Sequence, residues 1–165
     1  MSATIEKIWE TLEPLTDPEI PVVTLRELGV LRDVRESGNG FEVVITPTYS
    51  GCPAMGQIED DIRASLERAG ISASVVTQLS PAWTTDWMSE EAKEKLRQYG
   101  IAPPHHTETQ ESVVRFMPNR GSVSIACPHC GSKNTTLTSQ FGSTACKALY
   151  KCLDCSEPFD YFKPF

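Results

Sequence analysis

The chain has 165 residues with a formal net charge of -7, 39% hydrophobic and 22% charged residues, a length for one compact domain or two small ones. This composition is far from the low-hydrophobicity, high-charge corner that marks disorder, so a packed core is expected. No uncharged stretch approaches the roughly 18 to 20 apolar residues a membrane span needs, and Met1-Ser-Ala-Thr-Ile-Glu-Lys7 lacks the cationic start and apolar run of a secretory signal. Neither a membrane partner nor export is expected, and the cytoplasm is the expected compartment.

The charge is uneven. Before residue 101 there are 17 acidic and 9 basic residues, and from there on 5 acidic and 6 basic. An acidic first region repels a phosphate backbone, and the second lacks clustered Lys and Arg, so nucleic acid is not an expected partner. The stretch Ala102-Pro-Pro-His-His-Thr-Glu-Thr-Gln-Glu-Ser112 is polar and without periodicity, as in a linker. The expected division is a first domain over 1–101, a linker over 102–120 and a second domain over 121–165.

In chain order, Ile5, Ile8, Leu12 and Leu15 recur at helical spacing, predicting an amphipathic helix over about Thr4 to Glu13 that Pro14 and Pro18 stop. Val30 to Glu36 and Phe41 to Pro47 are rich in β-formers around the turn residues Ser37-Gly-Asn-Gly40, predicting a hairpin. Met55, Ile58, Ile62 and Leu66 line one face of a second helix that ends before Gly70. Ile71 to Leu79 reads as a third strand. Ser89 caps a last helix with Glu90 and Glu91 in its first turn and Gly100 past its end. The order α-β-β-α-β-α predicts an α+β fold, a small three-stranded sheet covered by helices. Trp83 and Trp87 are expected in the core rather than on a contact surface.

Cys127-Pro-His-Cys130 and Cys152-Leu-Asp-Cys155 are separated by 21 residues, close to the two-knuckle spacing of a β-rich zinc ribbon. Two residues between thiolates let one tight turn present both sulfurs to an ion, and two such turns complete a tetrahedron of soft ligands. Four closed ligands predict one structural zinc per chain. Iron suits the same sulfur set, and two redox dithiols or disulfides are the bland alternative. His129 lies inside the first knuckle, but with four thiols available it is expected exposed. A segment this short buries too little to fold alone, so metal is expected to supply much of its folding free energy.

Two cysteines lie outside the knuckles. Cys52-Pro53 follows the second predicted strand and precedes the second helix. There, unpaired helix amides favour a thiolate, making either a nucleophile or a metal ligand. A small buried space-filler is the equally weighted alternative. Cys146, followed by Lys147, reads more naturally as a strand residue of the ribbon, and a four-coordinate zinc has no place for a fifth ligand. Asp17-Pro18-Glu19 needs no more than a turn to explain it. All three histidines, His105, His106 and His129, lie outside the first region, which excludes a Ser-His or Cys-His system confined to it. No Glu-x-x-His pair of the di-iron type occurs. Autonomous enzymatic activity is not expected.

Three signatures of the first region go together: Asp17-Pro18-Glu19 after a short helix, Thr48-x-x-x-Cys52-Pro53 before the next, and Pro81-x-Trp83-Thr84 leading into Met88-Ser-Glu-Glu-Ala92. Over about residues 4 to 100 they resemble the iron-sulfur assembly domain of SufT and of eukaryotic cytosolic iron-sulfur targeting proteins. The ribbon carries Ser139-x-Phe141-Gly-Ser-Thr-x-Cys146-Lys147 between its knuckles and Phe159-Asp-Tyr-Phe-Lys163 at its end, and so resembles the ribbon of the PaaD family, whose members are encoded with the phenylacetyl-CoA epoxidase of aerobic phenylacetate degradation. The resemblance implies an accessory role in maturing that multicomponent monooxygenase, with the iron-sulfur reductase subunit as partner. It favours Cys52 as the residue that transiently carries iron or a cluster, with Cys146 or a partner's thiol as a further ligand and Asp17, Pro18 and Glu19 as the accompanying signature. One thiolate cannot hold a cluster that usually takes four, so a homodimer or a partner must complete it. The competing class is a non-catalytic structural or docking subunit of the epoxidase complex.

Overall fold

The structure, a computed structural model, describes residues 4–38, 40–49, 51–104 and 124–164. Most of the expected linker, with His105 and His106, lies outside these residues. The chain divides into two compact units, the first running to Lys95 and the second from Leu96 to Pro164.

The first unit opens with α1, Ile5–Leu12, which buries Ile8 and Leu12 and is capped by Thr4, whose hydroxyl accepts the Lys7 amide. The chain then folds back on itself. Leu25 N–H donates to the Leu15 carbonyl at 2.8 Å and Asp17 N–H to the Val23 carbonyl at 3.0 Å. This closure delivers a one-turn helix, α2, Leu25–Leu28, with a complete capping box between Thr24 and Glu27 and left-handed Gly29 at its end. Gly29 has φ +82°, and a Cβ there would stand 2.8 Å from Trp87 backbone, so conformation and packing both demand glycine.

Strands β1, Leu31–Ser37, and β2, Gly40–Ile45, pair antiparallel from Ser37 opposite Gly40 to Leu31 opposite Ile45, with a bulge near Arg32. Helix α3, Met55–Arg68, buries Ile58, Ile62, Ser65 and Leu66 and carries the chain over to β3, Ala73–Thr77, which joins β2 in parallel. The sheet order is β1-β2-β3. Helix α1 packs on α3 and β1, and α3 on β3. Val43, Val44 and Ile45 are buried in succession. Because neighbours on a strand face opposite ways, both faces of the central strand are covered at that end, a fuller enclosure than one helical layer.

A short 3-10 turn, Thr85–Trp87, precedes α4, Glu90–Gln98, whose Ser89 hydroxyl accepts the Ala92 amide. Trp83 is buried with its indole N–H donating to the Leu28 carbonyl at 3.0 Å. Trp87 is half-buried with the Arg32 guanidinium 3.5 Å over its ring. Both tryptophans therefore fasten the α2 to β1 corner.

The second unit is a four-stranded sheet of order β4-β7-β6-β5, made of β4, Ile101–Ala102, β5, Thr135–Ser139, β6, Lys147–Cys152, and β7, Pro158–Phe162. Strand β4 pairs in parallel with β7. Hence Ala102, expected in the linker, is a strand residue of the ribbon sheet, and the contact division falls after Lys95 rather than at residue 101. Two residues are too few to show a period-2 pattern. The ribbon core gathers Ala102, Ile125, Cys127, Ala148, Cys152, Phe159 and Tyr161, with Tyr150 stacked on Phe159.

Candidate metal centre and the Cys52 loop

The two Cys-x-x-Cys turns meet. The sulfurs of Cys127, Cys130, Cys152 and Cys155 all lie within 4.8 Å of one another, with Cys127 to Cys155 at 3.8 Å and Cys130 to Cys152 at 3.6 Å. A tetrahedron with Zn–S bonds of about 2.3 Å has edges of about 3.8 Å, so the thiol spacing fits a tetrahedral ion. Each knuckle closes on a residue of positive φ: Gly131 at +77° and Ser156 at +64°. Gly131 N–H donates to the Cys127 carbonyl at 2.8 Å, and Cys152 N–H to the Glu157 carbonyl at 2.9 Å. His129 is exposed and belongs to no metal-ligating group among the described residues.

Electrostatics favours filling this site with a cation. The Cys155 amide, followed by the Asp154 amide, donates towards the Cys152 sulfur and lowers its pKa to about 7. For Cys155 the Glu157 amide works towards a lower value, but burial and the neighbouring sulfurs prevail and push it up to about 12. Four thiolates at van der Waals distance repel each other, and a dication removes that repulsion.

A polar bridge joins the knuckles. Asp154 accepts from the Ser132 hydroxyl with one oxygen and from Asn134 Nδ2, at 2.9 Å, with the other. These donors hold its carboxyl below the usual carboxylate range, Ser132 contributing most. Nothing in residue spacing pointed to this bridge.

Cys146 is buried at the start of β6, with its sulfur 3.0 Å from the Thr144 hydroxyl. The Lys147 ammonium lies 3.9 Å from Asp160. Gly142 packs so closely that a Cβ would stand 2.8 Å from Asp160 Oδ1, while Lys163 N–H donates to the Cys146 carbonyl and the Lys163 ammonium sits 4.6 Å over the Phe141 ring. The two ribbon signatures thus lock into one turn.

In the first unit, Cys52 is half-buried on the loop beyond β2, its N–H donating to the Tyr49 carbonyl at 3.2 Å and its carbonyl accepting the Met55 amide at 3.4 Å. Helix α3 starts at Met55 with Ala54 as its cap. Pro53 therefore precedes the cap instead of opening the first turn, and Cys52 lies one turn ahead of the helix amides. Beside the loop, a cavity of about 350 Å³ is lined by Thr46, Pro47, Thr48, Tyr49, Leu79, Ala82 and Trp83. Thr46 is buried and its hydroxyl has no hydrogen-bond partner among the described residues. The loop stands at the carboxyl ends of the parallel pair β2 and β3, where α/β sheets commonly place ligands. Asp17 is buried and its carboxylate accepts the Glu19 and Ile20 amides at 2.8 and 2.9 Å, an Asx turn that fixes the Asp17-Pro18-Glu19 bend.

An assembly-type α+β unit followed by a four-thiol ribbon defines an iron-sulfur assembly class of protein with a zinc-ribbon extension. Residues 5–77 match the family model described as "Iron-sulfur cluster assembly protein", and residues 111–163 match "PaaD zinc beta ribbon domain". The chain is 49% identical over 160 residues, 96% of this chain and 92% of the relative, to a protein of Escherichia coli K12 named as a subunit of a "Putative 1,2-phenylacetyl-CoA epoxidase". It therefore belongs to the PaaD family. It is also 38% identical over 96 residues, 56% of this chain and 90% of the relative, to the "Fe-S protein maturation auxiliary factor" of Porphyromonas gingivalis W83. A solved DUF59 domain from Bacillus anthracis superposes with a TM-score of 0.50 at 31% identity, covering 56% of this chain and 90% of that one. Among the described residues no helix is long and apolar enough to cross a membrane.

Proposed function

We propose that this chain is a cytoplasmic, non-enzymatic accessory factor that assists maturation of the multicomponent phenylacetyl-CoA epoxidase, delivering iron or an iron-sulfur cluster to its reductase subunit. The observation that carries the reading is the division of thiols within one chain: four converge in a closed site, while Cys52 stands half-buried on a loop next to a cavity. Cys127, Cys130, Cys152 and Cys155 hold one structural zinc, which braces the ribbon. Cys52 takes the cargo, and because a single thiolate cannot hold a cluster alone, a second copy of the chain or the client supplies the remaining ligands. Cys146 is the weaker candidate ligand, since its buried turn must open before its sulfur is reached. Asp17, Pro18 and Glu19 shape the loop architecture of the assembly unit. The relatives named as maturation factors support delivery, and the one named as an epoxidase subunit supports a second reading, a docking component of the epoxidase.

The test is a Cys52→Ser variant expressed in place of the normal chain, followed by assay of iron and acid-labile sulfide in the purified epoxidase reductase. Delivery predicts a folded variant and a cluster-poor reductase; full cluster content removes Cys52 from the role. Stable co-purification with the epoxidase in fixed stoichiometry, without a cluster defect, establishes the docking reading instead.

A further inference from the structure

We propose that Asp154 is a positioning residue for the four thiols, clasping the two knuckles together so that the sulfurs are gathered before an ion arrives. The inference rests on the reading that this tetrad holds a metal.

Asp154 sits between Cys152 and Cys155, on the second knuckle. Its two oxygens accept from Ser132 Oγ and from Asn134 Nδ2, both just beyond the first knuckle. Those partners are themselves fixed. The Asn134 amide donates to Ser132 Oγ at 3.0 Å, and the Ser132 carbonyl accepts the Cys127 amide at 2.8 Å. The Leu153 amide donates to the Asn134 carbonyl at 2.8 Å, adding a backbone tie beside the carboxylate. A chain of polar contacts thus runs from the Cys127 backbone to the residue flanked by Cys152 and Cys155. The other links between the knuckles are the sulfurs themselves and the sheet. Without the carboxylate, the two turns remain tethered mainly by the backbone tie, and the ion must supply the ordering that the clasp now supplies. Partners beyond the ligands commonly contribute 10- to 100-fold in metal affinity by holding ligands in place.

Asp154 also carries a negative charge near the site, so positioning must be separated from attraction of the cation. Asp154→Asn keeps an oxygen for Asn134 and an amide that the Ser132 hydroxyl can accept from, while losing the charge. Ser132→Ala with Asn134→Ala keeps the charge and loses the clasp.

The experiment measures zinc affinity of the full chain by chelator competition, with the visible spectrum of the Co(II)-substituted protein as a second readout of tetrahedral geometry. Positioning predicts that Asp154→Ala and the Ser132→Ala/Asn134→Ala pair each weaken zinc by roughly 10- to 100-fold and lower the Co(II) d–d intensity. It also predicts that Asp154→Asn stays within about threefold of the parent and that combining Asp154→Ala with the pair costs little more than either alone, as for residues acting as one unit. Two outcomes overturn it: unchanged affinity in all variants, or equal losses in Asp154→Asn and Asp154→Ala with the uncharged pair unaffected, the pattern of simple charge attraction. If the parent chain itself fails to bind one ion at the four cysteines, the metal reading fails first, and this is seen before any variant is compared. A variant too unstable to purify metal-free is compared by the rate at which chelator strips its zinc, and a rate no faster than the parent's refutes the clasp.

Discussion

Removing the metal should unfold the ribbon and leave the first unit intact. The hydrophobic cluster of the ribbon holds seven buried residues, and two of them, Cys127 and Cys152, are ligands. Two others are alanines, leaving Ile125, Phe159 and Tyr161 as the large apolar contributors. At about 1.5–3 kcal/mol per large side chain buried, those three supply roughly 5–9 kcal/mol in gross terms, whereas structural zinc contributes about 10–16 kcal/mol in small thiolate sites. The ion thus contributes more than the apolar side chains, and the cluster alone is too small to order the sheet. The assay exploits the position of the tryptophans: Trp9, Trp83 and Trp87 all belong to the first unit, so tryptophan emission reports that unit, while amide exchange in β5, β6 and β7 reports the ribbon. Stripping the metal from reduced protein should abolish ribbon protection and leave tryptophan emission and α3 protection as they were. Persistent protection of β6 and β7 after complete metal removal would refute the argument, because the apolar cluster would then suffice.

Three further perturbations test the packing of the first unit. Glu27 is held below its ordinary value of 4.5, since burial opposes ionisation but the Lys95 ammonium at 2.6 Å and the Thr24 amide outweigh it; its stabilisation is therefore present above about 4.5 and lost as pH falls through the lowered value, so the stability difference between the parent and Glu27→Gln should shrink on acidification, and a constant difference in urea titrations from about pH 7 to 3 would refute the pairing. Thr46→Val removes the buried hydroxyl that lacks a partner and should stabilise by about 1 kcal/mol, whereas destabilisation of that size in thermal melts would mean the hydroxyl is satisfied. Gly29→Ala should cost more than the roughly 1–2 kcal/mol of the left-handed conformation, because the new Cβ meets Trp87 backbone at 2.8 Å; a loss below about 1 kcal/mol by urea unfolding would show that the corner yields.

The elements that periodicity reveals were readable because their signal repeats. Ile58, Ile62 and Leu66 place α3 to within a residue or two of its observed ends, and the turn residues around Gly38 and Gly40 set the hairpin register. Helix α2 has one turn, too short for an apolar period, and its only sequence mark was the capping box of Thr24 and Glu27 followed by Gly29. Strand β4 owes its existence to a partner far along the chain, which two residues of sequence do not announce. The four ligating thiols were legible since their spacing encodes a local turn. Asp154 was not, because an aspartate in a turn is commonplace and its role depends on where Ser132 and Asn134 arrive from 20 or more residues away.

The six cysteines show how one side chain acquires different chemistry from its surroundings. All are thiols. In the ribbon, four are drawn together by two turns and enclosed, so every coordination position of a tetrahedral ion is filled by protein; such a site has no open place for exchange and serves to brace a fold. Cys146 is buried against Thr144 in a turn locked by Gly142, Asp160 and Lys163, a setting that suits packing. Cys52 alone combines partial exposure with a loop at the strand ends and an adjoining cavity. Handing over a metal requires an incoming ligand to approach while the outgoing one is still attached, and of these three environments only the Cys52 loop leaves room for a second ligand without first dismantling the fold around it.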